Sequence, residues 1–336
     1  MKKQKDKAIS SADLHLEDFS TKKGKGVTTK PYGEALYAAA KKDKNITILC
    51  ADLTAATETD IVRDYLPEQF IMCGIAEANM VGVAAGLARS GLIPFIHSFS
   101  VFLTRRSFDQ IAMQIAYPKL NIKLIGFMPG IDSLLGISHQ ATDDIALMRA
   151  LPNMTIIEPC DPSEYSSAVN AALTCDGPVY LRLNKNCPKV PARYPLSMVE
   201  RGKFDLIKSG TDAAIFASGL CVQEAIEAAE KLENDGLSVA VINASSIKPL
   251  DIQMIKEMAA RTHCIITAEN HSIIGGLGSA VSEVLAEAGL AVRFKRIGLK
   301  DCFAEGGSRD YLFNKYGLGA RHIIQAVHAL KRDENG

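Results

Sequence analysis

The chain has no surplus of charge of either sign: 38 Lys and Arg are matched by 38 Asp and Glu over 336 residues. That balance excludes an overall field that would gather nucleic acid or anionic membrane, so a small-molecule ligand is expected. No run of roughly 18–20 apolar residues occurs that could span a bilayer. The start, Met1-Lys2-Lys3-Gln4-Lys5-Asp6-Lys7, has no apolar signal core behind it. The eight cysteines form no CxxC pair and no metal-like Cys/His spacing. Cys50, Cys73, Cys160 and Cys264 fall in or beside apolar runs, where the thiol acts as a small hydrophobe. These absences predict a cytoplasmic protein of the reducing cytosol. A GxxxxGK[ST] phosphate loop is missing as well.

What the chain has is apolar bulk, 47% of 336 residues, enough for two domains of ordinary size. Residues 1–26 are polar and Lys-rich and read as a loosely held arm. From there short β-rich runs alternate with helical patterns. Strands are expected at Ile46-Ala51, Leu92-Phe99, Ile122-Phe127, Met154-Ile157 and Val179-Leu183, and helices near Ala76-Arg89, Arg105-Tyr117, Thr142-Leu151 and Pro162-Leu173. Such alternation means βαβ units and a largely parallel sheet. The first domain is placed at 27–187 and a linker at 188–203, where Pro188, Pro191 and Pro195 stand without an amphipathic period. A second α/β series fills 204–336, with strands at Ala213-Ser218, Leu237-Asn243, Cys264-Ala268 and Ala291-Ile297. Its helices are expected near Val222-Asn234, Asp251-Ala260, Gly278-Ala288 and Ala320-Lys331.

One acid stands apart. In Phe70-Ile71-Met72-Cys73-Gly74-Ile75-Ala76-Glu77-Ala78-Asn79-Met80-Val81-Gly82-Val83-Ala84-Ala85-Gly86, Glu77 opens a helix of small apolar residues that another backbone can approach closely. In a dry contact of that kind desolvation raises a carboxyl pKa and retains its proton. A first-turn acid also suits the helix dipole without any further role. The Gly-rich stretch Gly275-Gly276-Leu277-Gly278-Ser279 follows a strand and opens a helix, but Val281 stands where a dinucleotide fingerprint has its third glycine. A tight strand-to-helix packing turn is the better reading.

Seven motifs occur in order: Ala51-Asp52-Leu53-Thr54, Gly74-Ile75-Ala76-Glu77, Phe99-Ser100-Val101-Phe102, Ser138-His139-Gln140, Leu151-Pro152-Asn153-Met154, Pro159-Cys160-Asp161, and Glu269-Asn270-His271 with its GGLGS loop. Together they resemble the C-terminal half of transketolase from about Thr28 to Val327. The resemblance implies two successive three-layer α/β domains, a pyrimidine-binding domain and then a C-terminal domain. The family's diphosphate-binding domain and its Gly-Asp-Gly motif are missing, so the chain looks like the second subunit of a split enzyme. The implied cofactor is thiamine diphosphate, with Mg2+ or Ca2+ held by an N-terminal partner subunit. The implied assembly is an α2β2 heterotetramer with the small-residue helix at the contact, and the implied activity is transfer of a two-carbon ketol unit from a ketose to an aldose.

The resemblance also implies roles. Glu77 would share a proton with N1′ of the aminopyrimidine ring, the cofactor carrying the hard chemistry. Phe99 and Phe102 would wall that ring, with Asp52, Leu53, Ile75 and Arg105 beside the cofactor. His139 would meet substrate hydroxyls. His97 matches no motif of the family, but two residues before Phe99 it could face the substrate channel. Several positions depart from the family. Leu135 stands in place of a sugar-reading Asp and Ala56 in place of a phosphate-binding Ser. The arginine near Asn184 is absent, leaving Arg182 and Lys185 as the available cations. These departures point away from ordinary pentose phosphates, toward a ketose with another anionic tail such as a sulfonate, or a branched sugar phosphate. Arg105, in Phe102-Leu103-Thr104-Arg105, is similar to the arginine of 1-deoxyxylulose-5-phosphate synthases, which keeps that thiamine reaction open; a structural salt bridge and a substrate contact are equally good readings of it. A non-catalytic binding or regulatory subunit of the same fold is the other alternative.

Overall fold

A computed structural model describes residues 30–185 and 187–332. The arm expected over 1–26 lies outside the described residues. Six strands of the first half are Ile46–Cys50 (β1), Phe70–Met72 (β2), Ile93–Phe99 (β3), Lys123–Phe127 (β4), Thr155–Ile157 (β5) and Val179–Leu183 (β6). β1, β4, β5 and β6 are buried at every position. Their near-continuous Val, Ile and Leu content follows from having both sheet faces covered. Helices Pro31–Lys42 and Tyr165–Leu173 cover one face through Tyr32, Leu36, Ala168 and Val169. Helices Glu77–Arg89 and Asp144–Ala150 cover the other through Met80, Val81, Ala84, Ile145 and Met148.

The second half forms Asp205–Lys208 (β7), Ala213–Ala217 (β8), Val239–Asn243 (β9), Ser246–Lys248 (β10), Cys264–Ser272 (β11) and Arg293–Leu299 (β12). Its five-stranded sheet runs β12-β11-β8-β9-β7. Helices Cys221–Asn234 and Ala320–Arg332 pack on one face, and Ile252–Thr262 and Leu277–Glu287 on the other. Two successive three-layer α/β domains are therefore present, as expected. Among the described residues no helix is long and apolar enough to cross a membrane.

Three features differ from the sequence reading. The helix expected over 105–117 begins earlier and is broken into Ser100–Arg106, Phe108–Gln110 and a π-helical Ile111–Ala116. At the break the Ser107 hydroxyl donates to the Leu103 carbonyl 2.5 Å away, competing with the helical ladder. β11 runs on to Ser272, because Glu269, Asn270 and His271 are buried and bonded instead of opening a loop. Most consequentially, β10 leaves the second half and pairs antiparallel with β5, giving the first sheet the order β10-β5-β6-β4-β3-β1-β2.

A buried polar knot sits where the halves meet. Arg182 on β6 is wholly buried; its Nε and Nη2 donate to Asp144 at 2.8 and 3.2 Å, its Nη1 to Glu158, and its Nη2 also to the Asn270 carbonyl at 2.8 Å. Burial opposes charge on all three groups, but the arginine between them holds Asp144 below the usual carboxylate range. Arg182→Met strands two buried acids and is expected to cost about 3–5 kcal/mol. An unfolding free energy from denaturant titration within about 1 kcal/mol of the parent's would show that the knot is not needed.

Candidate functional site

β1, β2, β3 and β4 are mutually parallel, so their C-terminal ends open on one edge of the sheet, the usual ligand edge of an open α/β sheet. Glu77 starts the helix that follows β2 and is 3% exposed. Ser98 near the end of β3 donates its hydroxyl to Glu77 Oε1 at 3.2 Å. Phe99 ends β3, and one helical turn on Phe102 stands with its ring 5.7 Å from that of Phe99. His139, in the 3-10 turn Ile137–His139 that follows β4, brings its ring to 5.1 Å from Phe102 and 6.1 Å from Phe99. The Ser138 hydroxyl lies 2.9 Å from His139 Nδ1, which leaves Nε2 for another partner.

The residue that joins these groups was not found in the sequence. Arg106 Nη1 donates to both Glu77 oxygens at 3.0 and 3.1 Å, while its guanidinium carbon lies 3.9 Å from the Phe102 ring centroid. Glu77 is therefore buried but not solitary, which corrects the apolar surroundings expected for it. The one available signal was spacing: Phe102 and Arg106 are i and i+4 on a helix and share a face. The 29-residue separation from Glu77 left no local trace. The arrangement accepts a planar group that stacks on the Phe102 face and meets the Glu77 carboxyl with its edge.

The other site candidates divide. Asp52 is exposed in a left-handed turn just past β1, at φ 59°, and Leu53 beside it is half-buried against the first core. Ile75, past β2, is 75% exposed. Lys185 is exposed and its Nζ donates to the Ala55 carbonyl at 3.2 Å, so a cation stands beside the turn that contains Ala56. Its neighbour Asn184 is buried with both side-chain polar atoms unpartnered. Leu134 and Leu135 are 74% and 64% exposed on the loop that leads to His139.

Three expectations are corrected. Arg182 cannot offer a cation to a substrate tail, being sealed between Asp144 and Glu158. His97 does not face a channel: it is wholly buried, with Nε2 2.7 Å from the Tyr32 hydroxyl and Nδ1 3.1 Å from the Leu49 carbonyl oxygen. Arg105 is engaged by Asp143, Nε lying 2.9 Å from both carboxylate oxygens, and it is Arg106 that reaches Glu77. The glycine loop is a packing turn. Buried Glu269 accepts from Leu277 N at 2.6 Å and Gly278 N at 2.8 Å, filling the place an anionic ligand would take at that helix start. A Cβ on Gly276 would come within 1.9 Å of that carboxylate.

The first of two α/β domains thus presents a ligand edge with a buried carboxylate, two phenylalanines and a histidine. Similarity to known proteins narrows this. Residues 25–189 match the transketolase pyrimidine-binding domain and residues 202–323 the transketolase C-terminal domain. A 6-deoxy-6-sulfo-D-fructose transketolase subunit of Clostridium sp. (strain MSTE9) is 42% identical over 90% of this chain and 94% of its own length. An apulose-4-phosphate transketolase subunit from Phocaeicola vulgatus is 36% identical over 89% of this chain and 95% of its own. Among solved structures, a split-gene transketolase described as an inactive beta4 tetramer is 40% identical, with a TM-score of 0.82 over 89% of this chain and 96% of that one. The chain belongs to the transketolase family, whose cofactor is thiamine diphosphate, and carries the pair of domains found in the separate subunits of split transketolases.

The burial of His97 can be checked by titration. Desolvation pushes its pKa down to about 4, below the ordinary 6.5, so the unfolded chain binds the extra proton between those values. The stability that His97 contributes is present above pH 6.5 and is lost as pH falls toward 4. Between pH 7 and pH 5 the parent should lose on the order of 1–2 kcal/mol more than His97→Gln in matched denaturant titrations. Equal losses would place His97 in contact with water.

Proposed function

We propose that this chain supplies the pyrimidine half of a thiamine diphosphate site. Together with a partner polypeptide holding the diphosphate and its Mg2+ or Ca2+, it transfers a two-carbon ketol unit from a ketose to an aldose. The observation that carries this reading is the single planar group, the Arg106 guanidinium, that bonds buried Glu77 and stacks on Phe102 at once. Among the described residues no group of three or more His, Cys, Asp or Glu side chains could hold a metal ion. When bound, the cofactor supplies an electron sink for the carbon freed as the ketose C2–C3 bond breaks.

This chain's residues do the rest. The Arg106 side chain is 47% exposed and can leave toward solvent, freeing Glu77 and the Phe102 face. Glu77, steadied by the Ser98 hydroxyl at 3.2 Å, would then be the group that meets N1′ of the cofactor, and Phe102 and Phe99 would be the residues that hold its ring. With Nδ1 tied to Ser138, His139 presents Nε2 to the substrate hydroxyl whose proton must move as the C2–C3 bond opens or closes.

The donor is a ketose with an unusual tail. The exposed Leu134 and Leu135 offer apolar surface where the family reads a hydroxyl with an acid. Lys185 beside Ala55 offers one point charge where a fork of arginine donors would hold a phosphate. A sulfonate, a weaker acceptor with one negative charge, suits that lysine, and the sulfofructose relative supports the same class.

Two experiments follow. In ketol-transfer assays with the partner and thiamine diphosphate, Glu77→Gln should lower kcat by about 10²–10⁴-fold without a comparable loss of thermal stability; undiminished turnover would remove Glu77 from the chemistry. Compared at equal concentrations, a 6-sulfonated ketose should show at least about tenfold higher kcat/KM than xylulose 5-phosphate. A preference for xylulose 5-phosphate would overturn the donor assignment alone.

A further inference from the structure

The loop that carries His139, residues 128–141, belongs by sequence to the first domain but is held by the second. It turns through three left-handed positions, Met128 (φ 53°), Gly130 (φ 66°) and Gly136 (φ 72°), and so continues neither sheet nor helix. Its own hydrogen bonds are short-range: Gly130 N donates to the Ala141 carbonyl at 2.8 Å and closes the base, Ser133 N donates to Ile131 at 2.8 Å and His139 N to Gly136 at 2.9 Å, while Met128 N is tied to the Leu183 carbonyl of β6 at 3.1 Å. Between those ends the long-range anchors come from the second half. Asn270 at the end of β11 accepts from Ile131 N at 2.9 Å and donates to the Pro129 carbonyl at 3.3 Å. Ile131 is wholly buried in the second domain's core. Arg309, the first residue of helix Arg309–Tyr316, grips Asp132 with Nε and Nη2 at 3.1 and 2.6 Å. Gln140 Nε2 donates to the Glu305 carbonyl at 2.9 Å, and a Cβ on Gly306 would come within 2.4 Å of the Leu134 carbonyl oxygen.

His139 thus hangs between two points, Gly136 and Gln140, that both rest on residues 305–306. Its ring meets Phe102 edge-on at 5.1 Å. We infer that the second domain sets the position of His139 and of the Leu134-Leu135 surface, and that Arg309, through its two-pronged bond to Asp132, is a positioning residue for substrate recognition. The pair has the geometry that makes an ion pair specific: two parallel N–H donors on one carboxylate, with side chains only 23% and 21% exposed. The 177 residues between Asp132 and Arg309 put recognition under the control of a domain that contributes no group to the aromatic wall. The consequence for donor choice rests on the function proposed above; the clamp itself does not.

The test therefore has two arms. In hydrogen–deuterium exchange on the full chain without partner or cofactor, Arg309→Met should speed exchange of amides 131–139 by about tenfold or more while β4 and β11 keep their protection. Arg309→Lys, which retains charge without the fork, should fall between. Unchanged exchange over 131–139, or equal acceleration throughout the second domain, would overturn the clamp. In the assembled enzyme Arg309→Met should lower ketose kcat/KM by about tenfold or more, chiefly through KM, with affinity for thiamine diphosphate unchanged. Unaltered KM alongside a mobile loop would overturn its role in recognition. Absence of ketol transfer in the parent enzyme would refute the proposed function and leave the exchange result to decide the clamp.

Discussion

The structure turns on one buried guanidinium. Arg182 satisfies two carboxylates and a backbone carbonyl from three separate segments: Asp144 at the start of a helix, Glu158 just past β5, and Asn270 near the end of β11. Neither acid would be stable in that place alone, because the cost of removing an ion from water is met only by a close, well-directed opposite charge. The three segments must therefore converge together. Their convergence fixes how the C-terminal edge of the first sheet meets the second domain, and the candidate site lies along that edge. The β10–β5 pairing ties the same two halves through backbone bonds that reach Ile157, the residue before Glu158.

Two arginines illustrate how burial sorts like side chains into different tasks. Arg182 is sealed, its partners are sealed, and its pKa is raised because Asp144 and Glu158 outweigh the burial that opposes its charge. Arg106 shares its carboxylate partner with a surface opening, and nearly half of its side chain reaches solvent. A pair open at its arginine end can exchange that arginine for another donor to the buried carboxylate, whereas a pair sealed at both ends cannot. The same contrast explains why Glu77 can serve a ligand while Glu269, with its two accepted backbone N–H groups, serves as the cap of a helix. Burial lifts Glu269 to about 7, but its oxygens are already committed to Leu277 and Gly278.

The second domain does more than pack against the first. Its glycine loop is filled from within, so it binds no phosphate there. Its helix Arg309–Tyr316 and the turn at 305–306 instead support the loop that bears His139. The turn is itself braced, the Tyr311 hydroxyl donating to Glu305 Oε1 at 2.6 Å. In a site assembled from several strand ends the rigidity of each loop matters as much as the identity of its residues, and here the rigidity comes from the other domain.

Much of this was legible from residue order. Continuous Val, Ile and Leu runs marked β1, β4 and β6, because strands covered on both faces need no polar side, and amphipathic periods marked the helices that cover them. Glu77, Phe99, Phe102 and His139 could be singled out because each sits in a local motif at a strand end or a helix start. β10 could not, since three residues carry no period and its partner strand lies some 90 residues earlier. Arg106, His97 and Arg182 were misjudged or missed for a common reason. Charge and imidazole chemistry are readable from the sequence, but whether water reaches the group is not. The sequence by itself determined the two α/β domains and the set of groups available to a thiamine site. Only the tertiary structure decided which of them are exposed, which arginine meets Glu77, and which domain holds His139, because burial and ion pairing depend on contacts between residues far apart in the chain.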